Sequence, residues 1–161
     1  MRRHYETKKT AQSIRGQTTH MQIMSYLDEI SLKGRDANPF FRMMGIDIVS
    51  YGEGNAVLSM AVRPDMMNGD GWLQGGVYSA LADEAMALAL FTLLKENEIT
   101  ATISESTSFY RGVQDGTIVA EGIVVRKGRK VAFTKGMVRR SGENGETLAE
   151  SSASFAVIQQ E

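Results

Sequence analysis

Apolar and polar positions change period several times along the chain, and each change marks a predicted element. Between Thr18 and Lys33, residues Met21, Met24, Leu27, Ile30 and Leu32 recur near helical spacing, which predicts an amphipathic helix ended by Gly34. Pro39 disfavours helix through Asn38, and a strand-like run begins near Ile46. The stretch "GIDIVSYGEGNAVLSMAV" reads as two strands joined at Gly52–Asn55, and "RPDMMNGDGWLQ" reads as a loop. From Gly76 to about Leu94 nearly every position is apolar or small, the pattern of a long buried helix. Four strand-like runs follow: Ile99–Tyr110, Thr117–Lys127, Lys130–Arg139 and Thr147–Ile158. Each separator between them carries a glycine for the turn. No internal repeat or second domain is visible. The predicted class is α+β, one antiparallel sheet wrapped around one long central helix, with an N-terminal helical extension.

Two features resist this pattern. The long helix opens on a glycine pair, Gly75–Gly76, and carries two carboxylates, Asp83 and Glu84, in its middle. Buried carboxylates are costly unless paired or put to use. The run "TISESTSFY" is also unusual for a strand. Strict alternation places Thr102, Ser104, Ser106 and Ser108 on one face, and Ile103, Glu105, Thr107 and Phe109 on the other. It reads as a wet sheet face, with a polar pocket as the other reading.

Composition narrows the chemistry. The chain has 161 residues, 42% hydrophobic and 23% charged, with net charge −1. That balance argues against a nucleic-acid binder. With no cysteine, disulfides, thiolate metal sites and a cysteine nucleophile are excluded. The two histidines, His4 and His20, both fall in the first twenty residues, of which 1–17 form a basic stretch that reads as a polar arm. A Ser-His-Asp triad or a histidine metal site would need a histidine inside the folded body. A carboxylate is therefore the expected acid–base or nucleophilic group, and no metal is expected. No apolar run is long enough to span a membrane, and no apolar segment follows the basic N-terminus as a secretory signal requires. The expectation is a soluble cytoplasmic protein.

The order of elements, the segment "LQGGVYSALADEA" and the hairpin "VVRKGRKVAF" together resemble the hotdog-fold acyl-CoA thioesterase superfamily, specifically its PaaI-like group. The resemblance covers roughly Asn38 to Ile158, which suggests a hotdog domain over residues 38–161 preceded by an arm and helix over 1–37. Its most specific element is the Gly-Gly to Asp spacing in "GGVYSALAD". It implies hydrolysis of an acyl-CoA thioester to free acid and coenzyme A, with no cofactor beyond the coenzyme A of the substrate. It assigns Asp83 as nucleophile or general base, and Gly75 as the backbone N–H donor to the thioester carbonyl. Asn68 takes the place that orients the carbonyl or the water, and Thr102 is the nearest match to the residue that positions the water. Gly76 lies beside the bound substrate. The hairpin residues Arg126, Lys127, Gly128 and Arg129, with Arg111, match the usual contact region for the coenzyme A phosphates. The family's sites are shared between subunits, which implies a homodimer as the minimal unit and points to a homotetramer, with no nucleic-acid or membrane partner.

One position departs from the family pattern. The usual histidine before the glycines is Gln74, which can donate a hydrogen bond but cannot shuttle a proton. This counts against a dehydratase. It leaves open a non-catalytic acyl-CoA or small-ligand binding protein as the alternative to a hydrolase.

The layout suits thioester chemistry. Hydrolysis passes through a tetrahedral oxyanion, and donors aimed at that oxygen are a large catalytic term. A helix N-terminus supplies free N–H groups, and glycine lets a ligand approach the backbone. Burial raises the pKa of an acid and brings it nearer a useful base at neutral pH. On a helical wheel Asp83 shares a face with Gly76, Ser79 and Leu90, while Glu84 lies beside Val77, Ala80 and Leu88. The spacing favours Asp83, and leaves Glu84 as a salt bridge or interface contact. Trp72, Met66, Met67 and Phe91 either line an acyl pocket or belong to core and interface.

Overall fold

The computed structural model describes residues 25–143 and 145–160. The arm over 1–17 and both histidines lie outside these residues. Helix α1 spans Tyr26–Lys33 and opens on a capping box, with Ser25 Oγ accepting from the Asp28 N–H and Asp28 accepting from the Ser25 N–H. Ser25 is extended, so the helix expected from Thr18 does not run through it; residues 18–24 are not described. Gly34, at φ 56°, ends α1 as the sequence predicts.

A second short helix, α2 (Pro39–Met44), is absent from the sequence reading. The Asn38–Pro39 step that forbids helix through Asn38 begins a new one. Asn38 Oδ1 accepts from the Phe40 N–H at 2.9 Å, and Pro39 occupies the first turn, where its missing N–H costs nothing.

Strands β1 (Ile46–Gly52) and β2 (Asn55–Ala61) form the predicted hairpin. Glu53 and Gly54 both have positive φ, 50° and 78°, as a tight two-residue hairpin turn requires. After the loop comes α3 (Gly75–Phe91), then β3 (Glu98–Phe109), β4 (Thr117–Lys127), β5 (Val131–Arg140) and β6 (Thr147–Gln159). The six strands make one sheet in the order β1-β2-β4-β5-β6-β3, with every neighbouring pair antiparallel. Strand β3 is therefore an edge strand.

The sheet packs one face on α3. Tyr78, Leu81, Ala82, Ala85, Met86, Leu88, Ala89 and Leu90 of the helix are buried against Ile118, Ala120, Ala132, Val138, Ala149 and Phe155. The close approach is made at two strand glycines. A Cβ on Gly122 would lie 2.3 Å from the Ala85 carbonyl, and one on Gly136 would lie 3.3 Å from the Met86 side chain. The other side of α3, where Gly76, Val77, Asp83 and Glu84 lie, is not fully covered by the described residues. No described helix is long and apolar enough to cross a membrane.

A β-bulge in β3 corrects the strict alternation read from the sequence. Pairing with β6 shifts between Thr102 and Ser104, so Ile103 is the extra residue. Thr102 opposes Phe155 and Glu105 opposes Ala153, and both partners face α3. Thr102 therefore joins Glu105, Thr107 and Phe109 on the helix side, while Ser104, Ser106 and Ser108 stay on the outer face.

Candidate active site

The bulge brings the two ends of one interaction together. Thr102 Oγ1 donates to Asp83 Oδ1 at 3.1 Å, across the open groove between α3 and β3. Asp83 is half-buried, and this is its hydrogen bond among the described residues. Burial pushes the Asp83 carboxyl above its ordinary value, and the Thr102 hydroxyl pulls it part of the way back.

The groove has an ordered floor. Toward the helix N-terminus, Ser79 Oγ donates to Thr107 Oγ1 at 3.1 Å. Thr107 Oγ1 lies 3.0 Å from Glu105 Oε1 and 2.8 Å from Ser151 Oγ. Burial, with Asp83 nearby, raises the Glu105 carboxyl as well. Gly75 closes this end, its Cβ position 3.7 Å from the Phe109 ring. The sequence reading missed Glu105, Thr107, Ser79 and Ser151 as a group. Their signal was present: β3 offers hydroxyls and an acid to the helix where the central strands offer apolar side chains.

The start of α3 is free for a ligand. Gln74 is the N-cap but gives no side-chain hydrogen bond to the helix, and the first turn holds no acidic residue. Among the described residues, nothing lies within 4 Å of a Cβ built on Gly76. The glycine pair is thus not consumed in helix–sheet packing, which falls to Gly122 and Gly136. The N–H groups of Gly75 and Gly76 make no hydrogen bond among the described residues, as expected in the first turn of a helix, whose positive dipole end they form. Yet Gly75 and Asp83 are eight residues apart, about 12 Å along a helix axis. One chain cannot bring both to the same carbonyl.

Asn68 sits in the loop before α3, where its Oδ1 accepts from the N–H groups of Asp70 and Trp72 at 3.0 and 3.1 Å. It holds its own loop in shape, and its Nδ2 takes no part in those bonds. Asn68 and Gln74 share the wall of a second cleft, away from Asp83.

The basic candidates separate into two groups. Lys127 is bound 2.8 Å from Glu98, which is buried beneath it, and this pairing is the main reason the Glu98 carboxyl is held down to about 2. Gly128 makes the tight turn to Val131. Arg126 and Arg129 are exposed and have no ion pair among the described residues. Arg111 pairs with Glu146 at 2.5 Å. The Arg126–Arg129 hairpin lies toward the end of α3, since the neighbouring Val124 packs with Gly54 against Leu93. Arg111 lies by the start of α3, next to the segment where Val113 accepts from the Leu73 N–H.

Glu84 is the more perturbed of the two helix acids. It is half-buried, makes no ion pair or hydrogen bond among the described residues, and is pushed up to about 7 by burial and by Asp83 beside it. The salt bridge expected for it is not found among those residues. No described group of three or more acidic or histidine side chains is placed to hold a metal ion.

Residues 70–146 match the sequence profile of the thioesterase superfamily. The chain has the fold of the hotdog thioesterases. Over 48 residues it is 46% identical to the acyl-coenzyme A thioesterase PaaI of Escherichia coli, a span covering 30% of this chain and 34% of that protein. It is 26% identical to a mutant of the phenylacetic acid degradation protein PaaI of Thermus thermophilus, with a TM-score of 0.67 over 74% of this chain and 98% of that one. A Haemophilus influenzae thioesterase shares the fold at a TM-score of 0.72 and 24% identity, over 84% of this chain and 92% of that one. The fold is therefore the hotdog fold, and these likenesses support thioester hydrolysis as the general activity.

Proposed function

We propose that the protein hydrolyses acyl-CoA thioesters at a site completed by a second copy of the chain. Asp83, held by Thr102, either deprotonates a water or attacks the carbonyl itself. The N–H of Gly75 from the second copy binds the developing oxyanion, with Gln74 and Asn68 of that copy able to hydrogen-bond the carbonyl or the water. The carrying observation is the 3.1 Å Thr102–Asp83 bond on the wall of an open groove, beside an edge strand with no neighbour on its outer side among the described residues. A two-fold axis near Ser79 and Thr107 would set each Asp83 against the other chain's Gly75. It would also bring the exposed Arg126 and Arg129 of one copy near the Arg111 end of the other, a basic surface for coenzyme A phosphates.

Release of free coenzyme A from a panel of acyl-CoAs tests this reading. Asp83→Asn should lower kcat by about 10²-fold or more, with the oligomer intact. Full turnover in that variant would remove Asp83 from the mechanism. No turnover by the folded parent would favour a ligand-binding protein, with Gln74 as the mark of a lost catalytic site.

A further inference from the structure

Between α2, the loop after β2 and the first turn of α3 lies a cleft of about 510 Å³, within the range of small-molecule sites. Four methionines line it: Met43 and Met44 from α2, Met66 and Met67 from the loop, with Val77 of α3 opposite. The charges at its wall are already spent. Arg63 donates to the carbonyls of Met43 and Met44 and pairs with Asp65 at 3.0 Å. The polar groups left to face the cavity are Asn68 and Gln74, at the end nearest the helix N-terminus.

We propose that this cleft binds the acyl group of the substrate, and that the group is uncharged, apolar and longer than acetyl. The inference rests on the hydrolase reading for the place of the thioester carbonyl, at Gly75 and within reach of Gln74. From that point the α3–β3 groove leads over Ser79, Thr107 and Glu105, a polar floor that does not solvate an alkyl chain. The methionine cleft leads the other way, over flexible and polarisable side chains that adapt to chains of different shape. A carboxyl-bearing acyl group would meet no free cation among the described residues that line it.

Met43 is 62% exposed, and Met67 is half-buried against the edge of the core, so the paired leucine variant serves as the control for lost packing. In the full-length protein, kcat/KM would be measured for acetyl-, butyryl-, octanoyl- and succinyl-CoA. The parent should prefer octanoyl over acetyl and butyryl over succinyl. In Met43→Gln/Met67→Gln the octanoyl-to-acetyl ratio should fall by about tenfold or more, and Met43→Leu/Met67→Leu should keep it. An unchanged ratio in the glutamine variant overturns the proposal, as does a preference for succinyl. Calorimetry with S-octyl-CoA, a thioether that cannot be hydrolysed, separates the two claims. Tighter binding than free coenzyme A, lost in the glutamine variant, keeps the cleft even if no thioester is turned over. Equal affinity for the two ligands overturns the cleft while leaving hydrolysis standing.

Discussion

At Asp83 two opposing effects act on one carboxylate: burial raises its pKa and the Thr102 hydroxyl lowers it. A base must be ionised to act, so the acid limb of the pH–rate profile should lie above the range of an ordinary aspartate. Thr102→Val removes the lowering contribution. Its limb should move to higher pH, with kcat/KM at pH 6 falling more than at pH 8; an unmoved limb would show that the hydroxyl does not bear on the acting acid. Glu84 makes the opposite kind of prediction, about stability. Its folded pKa, about 7, lies above the unfolded value of 4.5. The folded state is therefore favoured when Glu84 is protonated, and that advantage is lost as pH rises from about 4.5 through about 7. Glu84→Gln should stabilise the protein at pH 8 by about 2–3 kcal/mol, roughly 5–10 °C in Tm, and change little at pH 4.5. Calorimetric scans at the two pH values check this; equal effects at both would mean that Glu84 is ionised and satisfied.

At the scale of the element, the start of α3 carries the claim about the oxyanion. Gly75 is the first helical residue, and Gln74 before it has φ −60° and ψ 134°, a conformation that a following proline accepts. Gly75→Pro should therefore keep the fold while deleting one N–H, and lower kcat by about 10²–10³-fold. Circular dichroism and coenzyme A release together test it; full activity would mean that the Gly75 N–H does not hold the oxyanion. The helix and its acid were legible in the sequence because the apolar run is long and the Gly75–Asp83 spacing specific. The strands were legible because a glycine punctuates each turn. What stayed hidden was local geometry that no periodicity encodes. The bulge at Ile103 moves Thr102 to the helix side, where alternation had put it opposite. Helix α2 was hidden because Pro39 signals a boundary without saying whether a strand or a new helix follows. The mid-strand glycines Gly122 and Gly136 went unread, although close backbone approach is what a glycine inside a strand announces.

At the scale of the whole molecule, the organising fact is a distance within one helix. The about 12 Å between Gly75 and Asp83 separates the proposed oxyanion donor from the proposed acid in every copy, and the edge strand β3 offers the surface along which a second copy can close the gap. Combining Asp83→Asn and Gly75→Pro subunits in one preparation tests this most directly. Each variant alone should be nearly inactive. Random pairing in a two-fold dimer gives half mixed dimers, each with one site carrying both changes and one carrying neither, so about a quarter of parental activity should return. If the mixture stays as inactive as the single variants, although mixed dimers are present, donor and acid belong to the same chain and the shared site is contradicted.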